Sequence, residues 1–251
     1  PINLNKPVRR SAFYDISKML RHKTLRRIVF LSGARRVGKT TLVYQFIADL
    51  LTKGVSHRNI LYVSFDHPLL KFFTILDAVT LFIETIAGNT EDDIYLFFDE
   101  IQYAKDWDTW LKTLYDQNPN YRIMVTGSAS PLVETKGIES GVGRWVNIKI
   151  PTLSFYEYLG FIQLQKPKLP VKFDPANLHQ LEAKEIAGLM ISLSEIQKHF
   201  QRYLLVGGFP ELVLSDDRMY AQRILREDVA DKVLKRDLTT LFGTRNVMDL
   251  E

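Results

Sequence analysis

Three short stretches of the chain hold residues whose types and spacing could do chemistry. The first, Gly33-Ala34-Arg35-Arg36-Val37-Gly38-Lys39-Thr40, fits the pattern G-x-x-x-x-G-K-[ST]. A polyphosphate presents many anionic oxygens in a small volume, so its site needs many donors close together. Gly33 and Gly38 let the main chain curl until successive N–H groups point inward. A helix opening near Lys39, with Thr41 in its first turn, turns its unpaired N–H groups and the positive end of its dipole towards the same anion. Lys39 adds a mobile charge for the outer phosphates, and Thr40 a hydroxyl for Mg2+.

The second stretch is the acid pair Asp99-Glu100, delivered by the apolar run Ile94-Tyr-Leu-Phe-Phe. Two adjacent carboxylates are costly to bury without partners, so they should face a polar cavity. Asp99 would hold Mg2+, directly or through water, and Glu100 would orient and activate an attacking water. The third is the end of Tyr121–Ser128, where Thr126 and Ser128 offer hydroxyls. Either could sense a γ-phosphate or position water. Either could equally cap a helix starting at Ser130-Pro131.

These residues need strands and helices to place them. Apolar, β-branched runs predict parallel strands at about 28–32, 59–66, 94–100, 121–128 and 145–150. Between them, helical spacing of apolar residues predicts helices over Ser11–Leu20, from Lys39 to about Lys53, over Phe72–Ala87 and over Asp106–Asp116. In the last of these, Trp107, Trp110, Leu111 and Leu114 share a stripe that reads as core. After Pro151 the alternation stops and helices dominate. They are expected at Phe155–Leu164, from a capping box at Ser194 to about Val206, and over Asp217–Leu238, with a loop at 166–175. Four segments follow: a basic segment 1–26, an α/β core 27–151, a helical part 152–240, and a stretch 241–251 that reads as the start of a truncated C-terminal region.

The chain has 251 residues, is 46% hydrophobic and 25% charged, and holds no cysteine, which excludes disulfides and thiolate metal sites. No run approaches the ~18 apolar residues of a membrane span, and no signal peptide is visible, so a cytoplasmic location is expected. The net charge of +4 hides an asymmetry: residues 1–41 hold 11 of the 33 Lys and Arg and one acid, Asp15. This excess fits a basic arm for nucleotide or nucleic acid, or a solvated helix face around Tyr14–Arg27.

Six motifs occur in a fixed order: Gly-Ala-Arg-Arg-Val-Gly-Lys-Thr, Phe-Phe-Asp-Glu-Ile-Gln, Val-Thr-Gly-Ser-Ala-Ser, Gly-Arg before a strand, Pro-Thr-Leu-Ser-Phe-Tyr-Glu-Tyr-Leu, and Gly-Gly-Phe-Pro-Glu. Together they resemble the archaeal and bacterial AAA+-type ATPases that carry a C-terminal domain of unknown function, near the STAND signalling ATPases. The resemblance covers about Arg9 to Asp237. It implies an α/β P-loop NTPase fold with a parallel sheet of order 5-1-4-3-2 flanked by helices, followed by a helical lid. It implies Ser128, or Thr126, as the γ-phosphate sensor. It implies Arg144 as the arginine that reaches the γ-phosphate, in cis or from a neighbouring subunit of an oligomer. It implies Pro210 as a residue packed near adenine.

The leading expectation is therefore an ATP-binding, Mg2+-dependent ATPase that yields ADP and phosphate and acts as a conformational switch or motor. A second reading is a module that holds nucleotide with little turnover and binds DNA or a protein through its basic start. A kinase on the same loop fits less well, because the Asp99-Glu100 pair suits water as acceptor.

Overall fold

The apolar runs become five strands of one parallel sheet: β1 (Ile28–Gly33), β2 (Ile60–Ser64), β3 (Ile94–Asp99), β4 (Tyr121–Ser128) and β5 (Trp145–Lys149). The computed structural model describes residues 6–22, 24–88, 91–128, 143–165, 175–215 and 217–227. The strand order is β2-β3-β4-β1-β5, which read from the other edge is the expected 5-1-4-3-2. β1 and β3 are buried along their whole length, as strands covered on both faces should be. The register sets Gly33 beside Ser128 and Ser64 beside Asp99, so the strands' C-terminal ends form one rim.

Helices α1 (Ser11–Leu20), α2 (Lys39–Thr52), α3 (Ile75–Phe82) and α4 (Trp107–Gln117) accompany the sheet. Alternate residues of the strands, among them Phe30, Leu96, Phe98 and Val125, pack with Ile75, Val79 and Phe82 of α3 and Trp107, Leu111 and Leu114 of α4. α1 buries Phe13, Ile16 and Leu20, and Phe13 stacks on Phe46 of α2 with ring centroids 4.5 Å apart. The helix expected over Phe72–Ala87 is divided. Thr74 and Asp77 form a reciprocal capping box that starts α3 afresh after a short 3-10 turn, and a single π turn, Ile83–Ala87, ends it.

The described residues fall into two compact units that divide between Pro151 and Thr152. The second unit is helical, with helices at Phe155–Phe161, Ala183–Val206, Pro210–Val213 and Arg218–Ile224. Its core gathers Leu153, Tyr158, Leu159 and Val213, with Phe155 and Tyr203 packed around them. The long helix starts at Ala183, not at Ser194. Glu182 and Glu185 form its capping box, while the Ser194 hydroxyl donates back to the Ile191 carbonyl at 2.7 Å inside the helix. The expected loop at 166–174, the continuation of the last helix towards Leu238, and segment 241–251 lie outside the described residues. Among the described residues no helix is long and apolar enough to cross a membrane.

The basic start is engaged with its own unit. Arg9, Arg21 and Lys53 converge on Asp49, with Arg9 at 3.4 Å and Lys53 at 2.9 Å. Arg26 donates to the carbonyls of Asn118 and Tyr115 and lies 3.8 Å over the Tyr115 ring. Burial pushes the Asp49 carboxyl up, but hydrogen bonds from Lys53 and Arg21, with their charges, outweigh it and hold the group below the usual carboxylate range. A depressed folded pKa means that its stabilisation is complete above the unfolded value, about 3.9, and fades as pH falls through the folded value. Asp49→Asn should therefore cost about 1–3 kcal/mol in urea unfolding at pH 7, the partners being partly solvated. The gap between variant and parent should shrink below about pH 4. A gap independent of pH would contradict this account.

Candidate functional site

The rim formed by the C-terminal ends of β1, β3 and β4 is where the three chemical stretches arrive. β1 ends at Gly33, and the loop 34–38 leads straight into α2. A Cβ at Gly33 would stand 2.4 Å from the Ile150 carbonyl oxygen, so only glycine lets the chain leave the sheet this close to the exit of β5. Gly38 takes a left-handed conformation (φ 95°, ψ 24°) at the helix N-cap, and Arg36 is also left-handed (φ 64°). Arg10 fastens the loop from below: its Nη1 donates to the Val37 carbonyl at 3.1 Å and to that of Pro151 at 2.7 Å.

Lys39 opens α2 and is buried, 5% exposed. Its Nζ donates to the carbonyls of Gly33 and Ala34, each at 2.9 Å, which draws the loop around the ammonium. Burial lowers its pKa from the ordinary lysine value, against the opposing pull of Glu100 and Asp99 and with a small push from Arg35. Lys39 is thus a desolvated cation held between backbone dipoles and facing two carboxylates.

Asp99 ends β3 and is 2% exposed. Its Oδ2 accepts from Thr40 Oγ1 at 2.8 Å and from the Tyr62 hydroxyl at 3.1 Å, and its Oδ1 accepts from Thr126 Oγ1. Tyr62 in turn receives a hydrogen bond from Tyr44 at 3.0 Å. Burial, then the neighbouring Asp99 charge, pushes the Tyr62 hydroxyl far above the usual tyrosine range, so it stays a donor. Glu100 follows in a left-handed conformation (φ 51°, ψ 49°). Its N–H donates to Thr126 Oγ1 at 3.2 Å, and its Oε2 accepts from Gln102 Nε2. The turn swings Glu100 out of the sheet while Asp99 stays in it, so adjacent residues gain different environments.

The chemistry of these donors fits a magnesium ion. Thr40 and Asp99 offer hard oxygens 2.8 Å apart beside the lysine. Among the described residues no group of three or more His, Asp or Glu forms a dedicated metal cage. Magnesium does not need one, since it takes one or two protein oxygens and completes its shell with water and phosphate.

Gly33 to Thr41, Asp99 and Glu100 thus share one rim. Thr126, named beside Ser128 in the sequence, braces both acids. Ser128 sits in register with Gly33, but its side chain lies outside the described residues. Pro210 lies in the helical unit, at the first position of Pro210–Val213. Arg144 stands apart from the rim. It precedes β5, its carbonyl accepts from Ile28 N, and it therefore sits at the N-terminal end of the sheet. The length of β1 separates it from the loop, roughly 17 Å at ~3.3 Å per residue. There its guanidinium grips Asp116, with Nε 2.9 Å from Oδ1 and Nη2 3.0 Å from Oδ2. Sequence reasoning missed Tyr62, Arg10 and Gln102. Only Gln102 left a local signal, lying two residues from Glu100.

A family model described as an AAA domain matches residues 25–159, and a domain of unknown function matches residues 197–251. Two proteins of Methanocaldococcus jannaschii are similar, both carrying the name uncharacterized protein: MJ1544, 28% identical over 90% of this chain and 45% of its own length, and MJ1637, 28% identical over 91% and 50%. A Haemophilus influenzae protein is 24% identical over 92% of this chain and 51% of its own. The chain thus spans about half the length of these curated relatives. Among solved structures, the Walker-type ATPase PABY2304 of Pyrococcus abyssi aligns with a TM-score of 0.45 at 15% identity over 94% of this chain and 73% of its own. AMPPCP-bound DnaA from Aquifex aeolicus aligns with 0.43 at 14% over 93% and 85%.

Thr126→Val keeps the shape but strips Asp99 of a donor and the Glu100 N–H of its acceptor. It should lower stability by about 1–3 kcal/mol without nucleotide. Thr126→Ser should recover most of the loss, and thermal unfolding of the three proteins measures it.

Proposed function

The chain belongs to the AAA domain family, and from that premise we propose that it binds ATP with Mg2+ and hydrolyses it to ADP and phosphate, the cycle serving a conformational switch or motor. The observation that carries the proposal is the meeting of Lys39, Thr40, Asp99 and Glu100 at one rim of the sheet. The loop's inward N–H groups and the start of α2 take the phosphates. Lys39 leaves two neutral carbonyls for anionic oxygens, a stronger partner for a buried ammonium. Thr40 and Asp99 would hold Mg2+, which would neutralise charge on the phosphates.

Glu100 is the general base. Water's oxygen bonds to the γ-phosphorus while the bond from that phosphorus to the β,γ-bridging oxygen breaks. ADP departs with the electron pair, and the water's proton passes to Glu100. Thr126 holds Asp99 and the Glu100 backbone in place. Ser128 as γ-phosphate sensor, Pro210 as adenine contact, Arg144 acting in trans within an oligomer, and residues 152–240 as a lid are proposed on the motif resemblance.

The second reading, a nucleotide-holding module that takes DNA or a protein through the basic start, draws less support. Arg9, Arg10, Arg21 and Arg26 already bond Asp49 or backbone carbonyls.

Lys39→Ala should abolish nucleotide binding in a fluorescent-nucleotide titration. Glu100→Gln should bind ATP within a few-fold of the parent yet lose about 10²–10⁴ in phosphate release. Unchanged turnover in both variants would refute the assignment.

A further inference from the structure

We infer that Gln102 positions Glu100 for its work on water, an inference that rests on the hydrolytic reading above and adds a residue to it. After Glu100 the chain makes one 3-10 turn, Ile101–Tyr103, which carries Gln102 back to the carboxylate. There Gln102 Nε2 donates to Glu100 Oε2 at 2.5 Å. The orientation of the amide is fixed by chemistry: its oxygen would repel the carboxylate, so Oε1 must point away. On that far side Oε1 is buried and finds no hydrogen-bond partner among the described residues.

A buried amide with one end orphaned is an unfavourable way to fill space. Methionine or leucine would fill a similar volume without the orphan. The polar group therefore owes its place to the end that is used, the bond to Glu100. The slot is narrow. A Cβ on Gly127 would stand 3.3 Å from Gln102 Oε1 and 3.2 Å from the Phe30 ring, so this glycine in β4 leaves the room that the amide occupies.

The consequence concerns direction. A glutamate at a left-handed turn beyond the strand end has rotamers that point several ways. The Gln102 bond engages Oε2 and selects one of them, leaving Oε1 to accept the proton of the attacking water. That water's oxygen bonds to the γ-phosphorus as the bond to the β,γ-bridging oxygen breaks in favour of ADP. Gln102 touches Glu100 and no substrate atom, so it is a positioning residue.

The test is ATP hydrolysis and nucleotide affinity measured on the full chain. Gln102→Ala and the size-matched Gln102→Met should each lower kcat about 10–100-fold, the order of loss that misplacing a reacting group produces. KM and nucleotide affinity should change less than about threefold. Gln102→Met should unfold at a temperature no lower than the parent, which separates the kinetic loss from a folding defect. A kcat within twofold of the parent in Gln102→Ala and Gln102→Met would overturn the inference while Glu100→Gln remained inactive. A parent that does not turn over ATP, or a Glu100→Gln variant of full activity, would instead fell the hydrolytic reading and this inference with it.

Discussion

The carboxylate of Asp99 is the knot of the structure. It is almost wholly buried, yet it accepts hydrogen bonds from Thr40 on α2, Tyr62 on β2 and Thr126 on β4. An isolated buried carboxylate would be strongly disfavoured, and three donors with a nearby ammonium offset that cost. The donors come from three separate elements, so the charge is tolerable only when the sheet order and the helix start are both correct. The parallel arrangement makes this possible, because it brings the ends of β1, β3 and β4 to one rim. The site is built on that coincidence: the loop curls around Lys39 through the carbonyls of Gly33 and Ala34, and Glu100 turns out of the sheet beside Asp99.

What the sequence disclosed were the parts whose cause is local. A run of apolar β-branched residues buries as a strand wherever it lies, and G-x-x-x-x-G-K-[ST] between strand and helix has one geometry that satisfies it. β4 runs over Tyr121–Ser128 and α1 over Ser11–Leu20, the spans their residue patterns predict. The strand order is different in kind. No local pattern states it, and it came from the family resemblance that the motifs carry. Two of the three partners that escaped notice were set by distant pairing. Tyr62 is 37 residues from Asp99, and Arg10 is 141 from Pro151. Ser194 misled for the opposite reason, since a serine followed by glutamate has the local chemistry of a helix start. Here its hydroxyl found a carbonyl one turn back, and the helix ran through.

The basic start shows how much of a charge excess can be engaged within the fold. Residues 1–41 contain a single acid, so their excess looked available for an external anion. In the fold Arg9 and Arg21 meet Asp49, which lies just beyond that window, and Arg10 and Arg26 meet backbone carbonyls, which no charge count registers. Arg10 is the sharpest case. Its guanidinium joins the loop at Val37 to the chain leaving β5 at Pro151, so a residue that reads as part of a basic arm is a fastening of the phosphate loop.

The position of Arg144 bears on how the proposed chemistry is divided. The first unit assembles a lysine for the phosphates, oxygens for a metal and a base for water, all from its own residues. A general base contributes typically ~10²–10⁴ in rate. An arginine on the departing charge contributes ~10³–10⁵ more, but Arg144 lies at the far end of the strands, clasped to Asp116. A unit with the base and without that arginine would hold a triphosphate and turn it over slowly. On this reading the pre-built half of the site is the half that binds. Under the proposed function, the larger share of the rate would depend on a group supplied from another copy of the chain or another part of the protein. Slow hydrolysis until a second surface arrives is the property that the proposed switch would require, and the length of the β-sheet separates Arg144 from Lys39.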